Sequence, residues 1–320
     1  MYIPDEVLQK VKSRYSESHR HFHVWDHVES IISKINSNNE LLSVEKEILT
    51  IAAYFHDIVY DPTKNDNEEM SVKLMREYIP FTILSESIEQ IILGTKNIFG
   101  SDRLSSIFNS YDRDILFNGN VRQLIDYGNK IYKEYSFLPY SHFLDGHFKL
   151  IYKLTFGTQN QQNMNAYQQY MAGRILKVGI YPGSFNPIHK GHIHILNEAN
   201  KIFDKVILCK GINPDKSDKI SEFNVKSIDT NFNFEVVEFS GMLSDLVEQF
   251  ESMEYDVTIV KGIRNWQDLD YENVQRKFLN DFKNDLKYVY IPCSDEFSHI
   301  SSSSIRNLQK LGKDVTKYVP

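Results

Sequence analysis

The most constraining feature of the chain is the stretch Tyr181 to His194, which reads YPGSFNPIHKGHIH. It follows the short apolar run Lys177 to Ile180 and leads into apolar residues at helix spacing. The stretch therefore predicts a strand, a tight turn and a helix in succession. Gly183 and Gly191 permit a close backbone approach, so unpaired N–H groups and the positive end of a helix converge on one point. Such a point is typical of a phosphate-binding site.

The length and net charge of the chain limit its possible domain organisation and its possible partners. With 320 residues the chain is long enough for two domains, and its formal net charge of −7 argues against a nucleic-acid partner. Its only two cysteines, Cys209 and Cys293, fall in runs that predict buried strands, which favours a reducing, cytoplasmic location. Because no leader pattern and no apolar stretch of membrane-span length is present, we expect no membrane association.

The apolar periodicity changes near Gly173. Before it the spacing is helical almost throughout, which predicts an all-α bundle over residues 1–173. The Gln- and Asn-rich stretch Gly157 to Tyr170 fits either a linker or a last helix. After it, apolar runs alternate with helical patterns, which predicts an α/β domain with a parallel sheet over residues 174–320. The predicted strands are Val178 to Tyr181, Val206 to Cys209, Phe234 to Phe239, Val257 to Val260 and Tyr288 to Ile291.

Polar motifs follow four of these predicted strands. They are Ser184 to His192, Asn213 to Lys216, Lys261 to Asn265 and Ser301 to Ser304. Because ligands gather at the carboxyl ends of parallel strands, we expect the four segments to form one site.

Hydrogen-bond donors and cations predominate in these segments. Such groups suit a reaction at a bound phosphate, which requires no protein nucleophile when positioning and the stabilisation of charge on the phosphate provide the catalysis. His192 is placed to donate to that phosphate. The residues suited to this work are His192, Ser184, Lys216, Lys261 and Arg264.

Two of the segments resemble known motifs. Residues Ser184 to His192 resemble the T/HxGH signature of the nucleotidyltransferase superfamily, and Val260 to Glu272 resembles the RG(L/I)RxxxDxxYE motif of phosphopantetheine adenylyltransferase. With NPDK at 213–216 and ISSS at 300–303, the resemblance covers residues 177–320. It implies a Rossmann-like fold, transfer of AMP from ATP to 4′-phosphopantetheine, Mg²⁺ bound with ATP, and a homo-oligomer.

The resemblance also implies the roles of individual residues. It gives catalytic roles to His192, Lys216, Ser184 and Arg264. The acceptor contacts that it implies are Ser184, Lys216, Met242, Leu243 and Lys261, and the ATP contacts are Phe185, His189, His192, Lys261, Gly262, Arg264, Glu272, Ile300, Ser301, Ser302 and Ser303.

Several positions depart from that pattern. Lys261 stands where the family has Arg, Asn186 replaces Asp, and the helix expected after Lys216 is shortened to Ser221 to Asp229. Because these changes fall on the acceptor side, nicotinamide mononucleotide or another phosphorylated small molecule stays open as the acceptor.

A second group of residues lies in the first half of the chain, in His19 to His27 (HRHFHVWDH) and Ala52 to Asp61 (AAYFHDIVYD). Imidazoles and carboxylates together suit Mn, Fe, Co, Ni or Zn, which activate water for phosphate-ester hydrolysis. With NEEMS at 67–71 and Asp112 to Leu116, these segments resemble the HD superfamily of metal-dependent phosphohydrolases. The resemblance implies an HD-type bundle that hydrolyses a phosphate ester or nucleotide, with His23, His56, Asp57 and Asp114 as ligands and Asp112 as the alternative to the last.

Three interpretations remain open on the sequence. The chain is a bifunctional enzyme, or a transferase with a non-catalytic HD binding module, or a nucleotide-binding regulator in which both sites are degenerate. The presence of Lys216, Arg264 and His192 speaks against the third.

Overall fold

The computed structural model describes residues 3–96, 102–212, 224–228 and 234–320. The chain divides into two compact units. The helical unit contains Met1–Tyr135 and Tyr140–Gly173, and the sheet unit contains Ser136–Pro139 and Arg174–Pro320. No helix within the described ranges is long and apolar enough to cross a lipid bilayer.

Helices of the helical unit bury residues that recur every three or four positions. In the second helix Val28, Ile31 and Ile35 are fully buried, as the helical period requires of one face packed on a core. The helices are α1 (Asp5–Arg14), α2 (Trp25–Ser37), α3 (Ser43–Phe55), α4 (Asn67–Tyr78), α5 (Ser85–Gly94), α6 (Arg103–Asp112), α7 (Asp114–Asn118), α8 (Val121–Glu134), α9 (Tyr140–Thr155) and α10 (Gln161–Gly173).

Local signals at the ends of these helices explain their boundaries. Asn120 caps α8 by accepting a hydrogen bond from the Gln123 N–H at 3.0 Å, and the Gln123 side chain accepts one from the Asn120 N–H at 3.0 Å. The Gln- and Asn-rich stretch forms most of α10, in which Met164, Tyr167 and Met171 are fully buried. The interpretation of this stretch as a last helix is therefore confirmed.

The sheet unit is organised around a sheet with strand order β3-β4-β2-β1-β5-β6. Strand β1 pairs in parallel with β2 on one side and with β5 on the other, so its C-terminal loop opens at the middle of the sheet edge. The strands are β1 (Lys177–Gly183), β2 (Lys205–Gly211), β3 (Asn224–Ile228), β4 (Glu235–Ser240), β5 (Asp256–Ile263) and β6 (Tyr288–Pro292).

All five predicted strands are present, and they run parallel to one another. Strand β3 was not predicted from the sequence. It pairs antiparallel with β4 and occupies the part of the chain in which a shortened helix was expected, so that expectation is wrong for residues 224–228. An edge strand is bonded on one side only, and its sequence NVKSI carries too few apolar residues to indicate a strand by itself.

Helices of the sheet unit connect successive strands. Helix α11 buries Ile195, Leu196 and Ala199 against strand residues that include Val260. The helices are α11 (Lys190–Asn200), α12 (Leu243–Glu251), α13 (Trp266–Asn280) and α14 (Ser302–Lys310).

Gly128 lies where α8 meets α10. A Cβ at this position would come within 2.7 Å of the Tyr167 ring, whereas Gly146 on α9 has no atom within 4 Å of the position its Cβ would take. We expect Gly128→Ala to lower the free energy of unfolding by about 1–3 kcal/mol through overpacking. Gly146→Ala is the matched control and should raise it by about 0.5–1 kcal/mol through helix propensity. Urea denaturation of both variants tests the packing, and equal effects of the same sign would contradict it.

Candidate functional site

A pocket of about 330 Å³ lies at the carboxyl edge of the sheet. Its walls come from the loop after β1, the first turn of α11, the segment after β5, the segment after β6 and the first turn of α14. Chain segments that are far apart in sequence therefore supply one concave surface, as parallel sheets commonly arrange.

His189 and His192 form a stacked pair at the start of α11. Their ring centroids are 3.5 Å apart, and the His189 backbone N–H donates to Nδ1 of His192 at 3.2 Å. Because Nδ1 accepts this hydrogen bond, a neutral His192 carries its proton on Nε2. The structure thus fixes the tautomer in which the Nε2–H is available as a donor.

Both imidazoles are held in the neutral form. Burial, together with the neighbouring His189 and Arg264, lowers the pKa of His192 to about 3. Burial and Arg264 likewise lower the pKa of His189 to about 4. At neutral pH the pair therefore supplies N–H donors without positive charge.

Arg264 follows β5 and supplies one positive charge of the pocket wall. Its Nε donates to Asp268 Oδ2 at 2.7 Å and its Nη2 donates to Asp268 Oδ1 at 2.9 Å, which orients the guanidinium plane. A guanidinium has five N–H groups, so others remain available to a phosphate.

Hydrogen bonds connect the start of α14 to the loop after β1. The Ser302 hydroxyl donates to the Pro187 carbonyl at 2.8 Å, and the Arg306 guanidinium donates to the Asn186 carbonyl. Ser301 caps the helix by accepting from the Ser304 N–H at 3.1 Å. Hydroxyl groups and the positive end of α14 therefore face the same pocket as His192.

Two glycines allow this close packing. A Cβ on Gly183 would lie 2.9 Å from the Phe185 ring, and a Cβ on Gly191 would lie 3.1 Å from the His189 ring. Neither glycine has a positive φ, so close contact with the following rings, and not an unusual turn, explains their presence.

The helical unit contains a separate cluster of imidazoles and carboxylates. One ligand atom each from His27, His56 and Asp57 lies within 4.8 Å of the others. Asp112 Oδ1 lies 2.9 Å from His27 Nε2 and 3.7 Å from His56 Nε2. We call His27, His56, Asp57 and Asp112 the His–Asp cluster.

His56 presents an unsatisfied nitrogen to this cluster. Its Nδ1 lies 3.0 Å from the Ala53 carbonyl, which only accepts, so Nδ1 carries a proton. Its Nε2 is buried, makes no hydrogen bond with a described residue, and lies 2.9 Å from Asp57 Oδ2. An Nε2 lone pair there would face carboxylates, which is unfavourable unless a proton or a metal ion lies between them, and imidazole and carboxylate donors together fit a divalent metal.

Charges in the cluster shift the pKa values of its members in opposite directions. Burial would lower the pKa of His56, but Asp57 and Asp112 outweigh it and raise the pKa to about 9. Burial would raise the pKa of Asp57, but His56 and the other histidines hold it well below its usual range. The cluster therefore favours positive charge at its centre, either as a proton or as a metal ion.

Glu134 on α8 holds the segment that precedes α2. One carboxylate oxygen accepts the N–H groups of His21, Phe22 and His23 at 2.7, 2.7 and 3.0 Å. The other oxygen lies 2.7 Å from His23 Nδ1 and accepts the Tyr60 hydroxyl at 2.8 Å. Although burial would raise the pKa of Glu134, these partners lower it to about 2.

The comparisons with known proteins concern the sheet unit. The family model described as cytidylyltransferase-like matches residues 180–308. A phosphopantetheine adenylyltransferase of Clostridium botulinum strain Langeland is 32% identical over 150 residues, which are 45% of this chain and 89% of that protein. The protein of the same name from strain Alaska E43 is 33% identical, over 45% of this chain and 92% of its own length. The chain belongs to the cytidylyltransferase-like family.

The sheet unit of this family member is a nucleotidyltransferase related to phosphopantetheine adenylyltransferases. A solved structure from Vibrio parahaemolyticus, provisionally named a nicotinate-nucleotide adenylyltransferase, is 20% identical over 45% of this chain and 86% of that chain, with a TM-score of 0.31.

Most of the predicted residues of the transferase lie together. Phe185 contacts the His192 ring with centroids 4.9 Å apart, and Lys261 Nζ lies 2.9 Å from Glu272 Oε2, but Phe185 and Lys261 are outside the pocket wall. Met242 and Leu243 are also outside it, at the start of α12. Lys216 lies outside the described residues. The predicted residues that line the pocket are Ser184, His189, His192, Gly262, Arg264, Glu272, Ile300, Ser301, Ser302 and Ser303.

Two charged residues of the pocket wall were not predicted. Arg306 and Asp268 both line the pocket. Helical spacing was the available signal, because Arg306 follows Ser303 by three positions and Asp268 follows Arg264 by four.

The predicted metal ligands are only partly together. His56 and Asp57 are in the His–Asp cluster, as is the alternative Asp112. Nδ1 of His23 lies 2.7 Å from Glu134 Oε2, which leaves its Nε2 available, and His27, one helical turn later, joins His56 in the cluster. Asp114 lies 3.5 Å from Lys34 Nζ and accepts a hydrogen bond from Asn118 at 2.6 Å.

The neutral state of His192 has a measurable consequence. Its pKa in the folded chain is about 3, below the ordinary value of 6.5, so the unfolded chain binds the proton first. This histidine therefore contributes stability above pH 6.5 that is lost as the pH falls towards 3. In an NMR titration we expect the His192 ring signals, assigned by their loss in His192→Ala, to stay constant from pH 8 to about pH 5. A midpoint near pH 6.5 would contradict the neutral pair.

Proposed function

We propose that the sheet unit transfers AMP from ATP to the phosphate of 4′-phosphopantetheine, which yields dephospho-coenzyme A and pyrophosphate. The observation that carries the proposal is the pocket in which His192, Arg264 and the start of α14 present donors to one volume. The names of the Clostridium botulinum relatives support this choice of acceptor.

The reaction is a single displacement. An acceptor phosphate oxygen forms a bond to the α-phosphorus of ATP, and the bond from that phosphorus to the bridging oxygen breaks, so pyrophosphate leaves with the electron pair. Negative charge on the α-phosphate oxygens is stabilised by the Nε2–H of His192 and by Arg264. The hydroxyls and helix N-terminus of α14 hold the leaving phosphates, which Mg²⁺ accompanies.

One buried ring nitrogen of this pocket lacks a hydrogen-bond partner among the described residues. Nδ1 of His189 is buried and makes no hydrogen bond with a described residue. Because a buried polar atom without a partner is costly, a bound nucleotide that supplies a hydrogen bond would stabilise the site. We assign His189 to the ATP subsite for this reason.

Fewer described residues support the choice of acceptor than support the ATP subsite. Lys216 lies outside the described residues, and Lys261 is paired with Glu272 at 2.9 Å. Nicotinamide mononucleotide is the competing acceptor, because it also presents a phosphate to the same donors.

Removal of the His192 donor should slow the transfer. We expect His192→Ala to lower kcat about 100- to 1,000-fold, as the loss of a donor to developing charge does in other enzymes. His142→Ala removes an exposed histidine of α9 and serves as the control, with no effect expected. Pyrophosphate release from ATP is measured with each of the two acceptors separately. A fully active His192→Ala variant, or the absence of release with either acceptor, would contradict the proposal.

For the helical unit we propose a metal-dependent phosphohydrolase of the HD type. The observation that favours it is the buried, unsatisfied Nε2 of His56 beside the carboxylates of the His–Asp cluster. His27, His56, Asp57 and Asp112 would hold the metal, which supplies an activated water. In the reaction a water oxygen bonds to phosphorus, the ester P–O bond breaks, and the alcohol leaves with a proton.

Arg20 and Glu134 hold the segments that carry the His–Asp cluster in place. The Arg20 guanidinium is buried and donates to the Asp57 carbonyl at 2.6 Å and to the Ile58 carbonyl at 3.1 Å. Together with Glu134 it fixes the segment between α1 and α2 relative to the end of α3. His27 and Asp57 are thus held by a hydrogen-bond network before any ligand binds.

The metal proposal is tested by an isosteric change. Asp57→Asn removes a charged ligand, so we expect the purified chain to lose most of its bound Mn, Fe, Co, Ni or Zn and its hydrolysis of p-nitrophenyl phosphate. Asp145→Asn alters an exposed aspartate paired with Lys149 and is the control. Plasma mass spectrometry measures the metal content. Equal metal content in both variants would contradict the assignment.

A further inference from the structure

Tyr181 on β1 is a buried residue that also lines the pocket at the carboxyl edge of the sheet. It is 7% exposed, and it belongs to the apolar cluster that contains Ile195 and Val260. His192 and Arg264 line the same pocket. Because the ring is packed in the core, its hydroxyl is the polar group that this side chain offers to a ligand.

The hydroxyl of Tyr181 makes no hydrogen bond with any residue that the structure describes. A Cβ on Gly262 would lie 3.3 Å from the hydroxyl oxygen, so the glycine on the neighbouring strand β5 leaves one side of that oxygen uncovered. A polar group removed from water without a partner costs about 1–3 kcal/mol. Phenylalanine would pack equally well without this cost. Packing therefore does not explain the hydroxyl, whereas a hydrogen bond to a ligand would.

The groups around this hydroxyl favour an anionic ligand. The rings of Tyr181 and His192 have centroids 6.3 Å apart, and Arg264 is close enough to lower the pKa of Tyr181. Burial outweighs the influence of Arg264 and raises the pKa of Tyr181 well above its ordinary value, so the hydroxyl keeps its proton at neutral pH. A neutral O–H donor close to an imidazole and a guanidinium suits a phosphate oxygen.

The carboxylates of the pocket wall already have cationic partners. Asp268 is paired with Arg264 at 2.7 Å, and Glu272 is paired with Lys261 at 2.9 Å. These pairs reduce the repulsion that the two carboxylates would exert on a bound phosphate.

We propose that the hydroxyl of Tyr181 donates a hydrogen bond to a non-bridging oxygen of the α-phosphate of ATP, which makes Tyr181 a catalytic residue beside His192 and Arg264. The inference rests on the proposed transfer of AMP, in which His192 and Arg264 stabilise the α-phosphate. The hydroxyl keeps its proton throughout the displacement. Because negative charge on the α-phosphate oxygens increases in the transition state, the donor stabilises that state more than it stabilises bound ATP.

Tyr181→Phe tests this role, because it removes only the hydroxyl oxygen. We expect kcat for pyrophosphate release to fall by roughly 10- to 100-fold, as for a lost charge-assisted hydrogen bond, and KM for ATP to rise by less. Since the oxygen has no partner among the described residues, the thermal unfolding midpoint should not fall. An unchanged kcat, or a lower kcat together with a lower midpoint, would overturn the proposal.

Tyr140→Phe is the matched control, because Tyr140 is also buried but its hydroxyl donates to the Met171 carbonyl at 2.6 Å. This variant should lower the midpoint and leave kcat unchanged. Tyr152→Phe alters an exposed tyrosine of the same helix and should change neither quantity. A loss of activity in Tyr140→Phe as large as that in Tyr181→Phe would overturn the catalytic role, because any lost core hydroxyl would then slow the reaction.

Nucleotide binding tests the contact with the α-phosphate without the transfer reaction. AMP carries this phosphate and adenosine lacks it. In calorimetric titrations with EDTA, which stops metal-dependent hydrolysis, we expect Tyr181→Phe to bind AMP roughly 3- to 10-fold more weakly than the unaltered chain and to bind adenosine equally well. Equal binding of AMP, or equal losses for both ligands, would overturn the contact. If the unaltered chain releases no pyrophosphate with either acceptor, the transfer itself fails, whereas this titration still decides the contact.

Discussion

The central position of β1 is the constraint on which the sheet unit depends. Because β1 pairs in parallel with both β2 and β5, the loop that follows it has to open between their carboxyl ends. β5 pairs in turn with β6, so the segment that precedes α14 reaches the same edge. Burial of apolar strands thus brings a histidine pair, an arginine and a serine-rich helix start into one pocket, although more than 100 positions separate Pro187 from its partner Ser302.

The chemistry of that pocket depends on keeping imidazoles neutral beside a guanidinium. Burial and Arg264 lower the pKa values of both His189 and His192, and the hydrogen bond to His192 Nδ1 leaves its Nε2–H as the donor. The fixed positive charge comes from Arg264, Arg306 and helix ends, which do not titrate near neutral pH. In the proposed transfer, the stabilisation of a phosphate by these groups would therefore not change over the physiological pH range.

Most of the sheet unit was predictable from the sequence, whereas the membership of the His–Asp cluster in the helical unit was not fully predictable. Five strands could be recognised by their continuous apolar runs, and the pocket motifs follow the ends of four of them. β3 carries no such run, because an edge strand takes its pairing from β4. In the helical unit, spacing alone cannot choose between His23 and His27. Glu134, 111 positions away from His23, lies 2.7 Å from Nδ1 of that side chain, and His27 Nε2 lies 2.9 Å from Asp112 Oδ1. Partners of this kind are visible only in the folded chain.

The central claim is that AMP passes directly from ATP to the acceptor, without a covalent intermediate on the protein. The configuration at phosphorus tests it most directly. ATP made chiral at the α-phosphorus by sulfur substitution is incubated with 4′-phosphopantetheine, and the configuration of the product is determined. A single in-line displacement predicts inversion. Retention would contradict the account, since it requires two displacements and a nucleophile on the protein, for which His189 and Cys293 line the pocket.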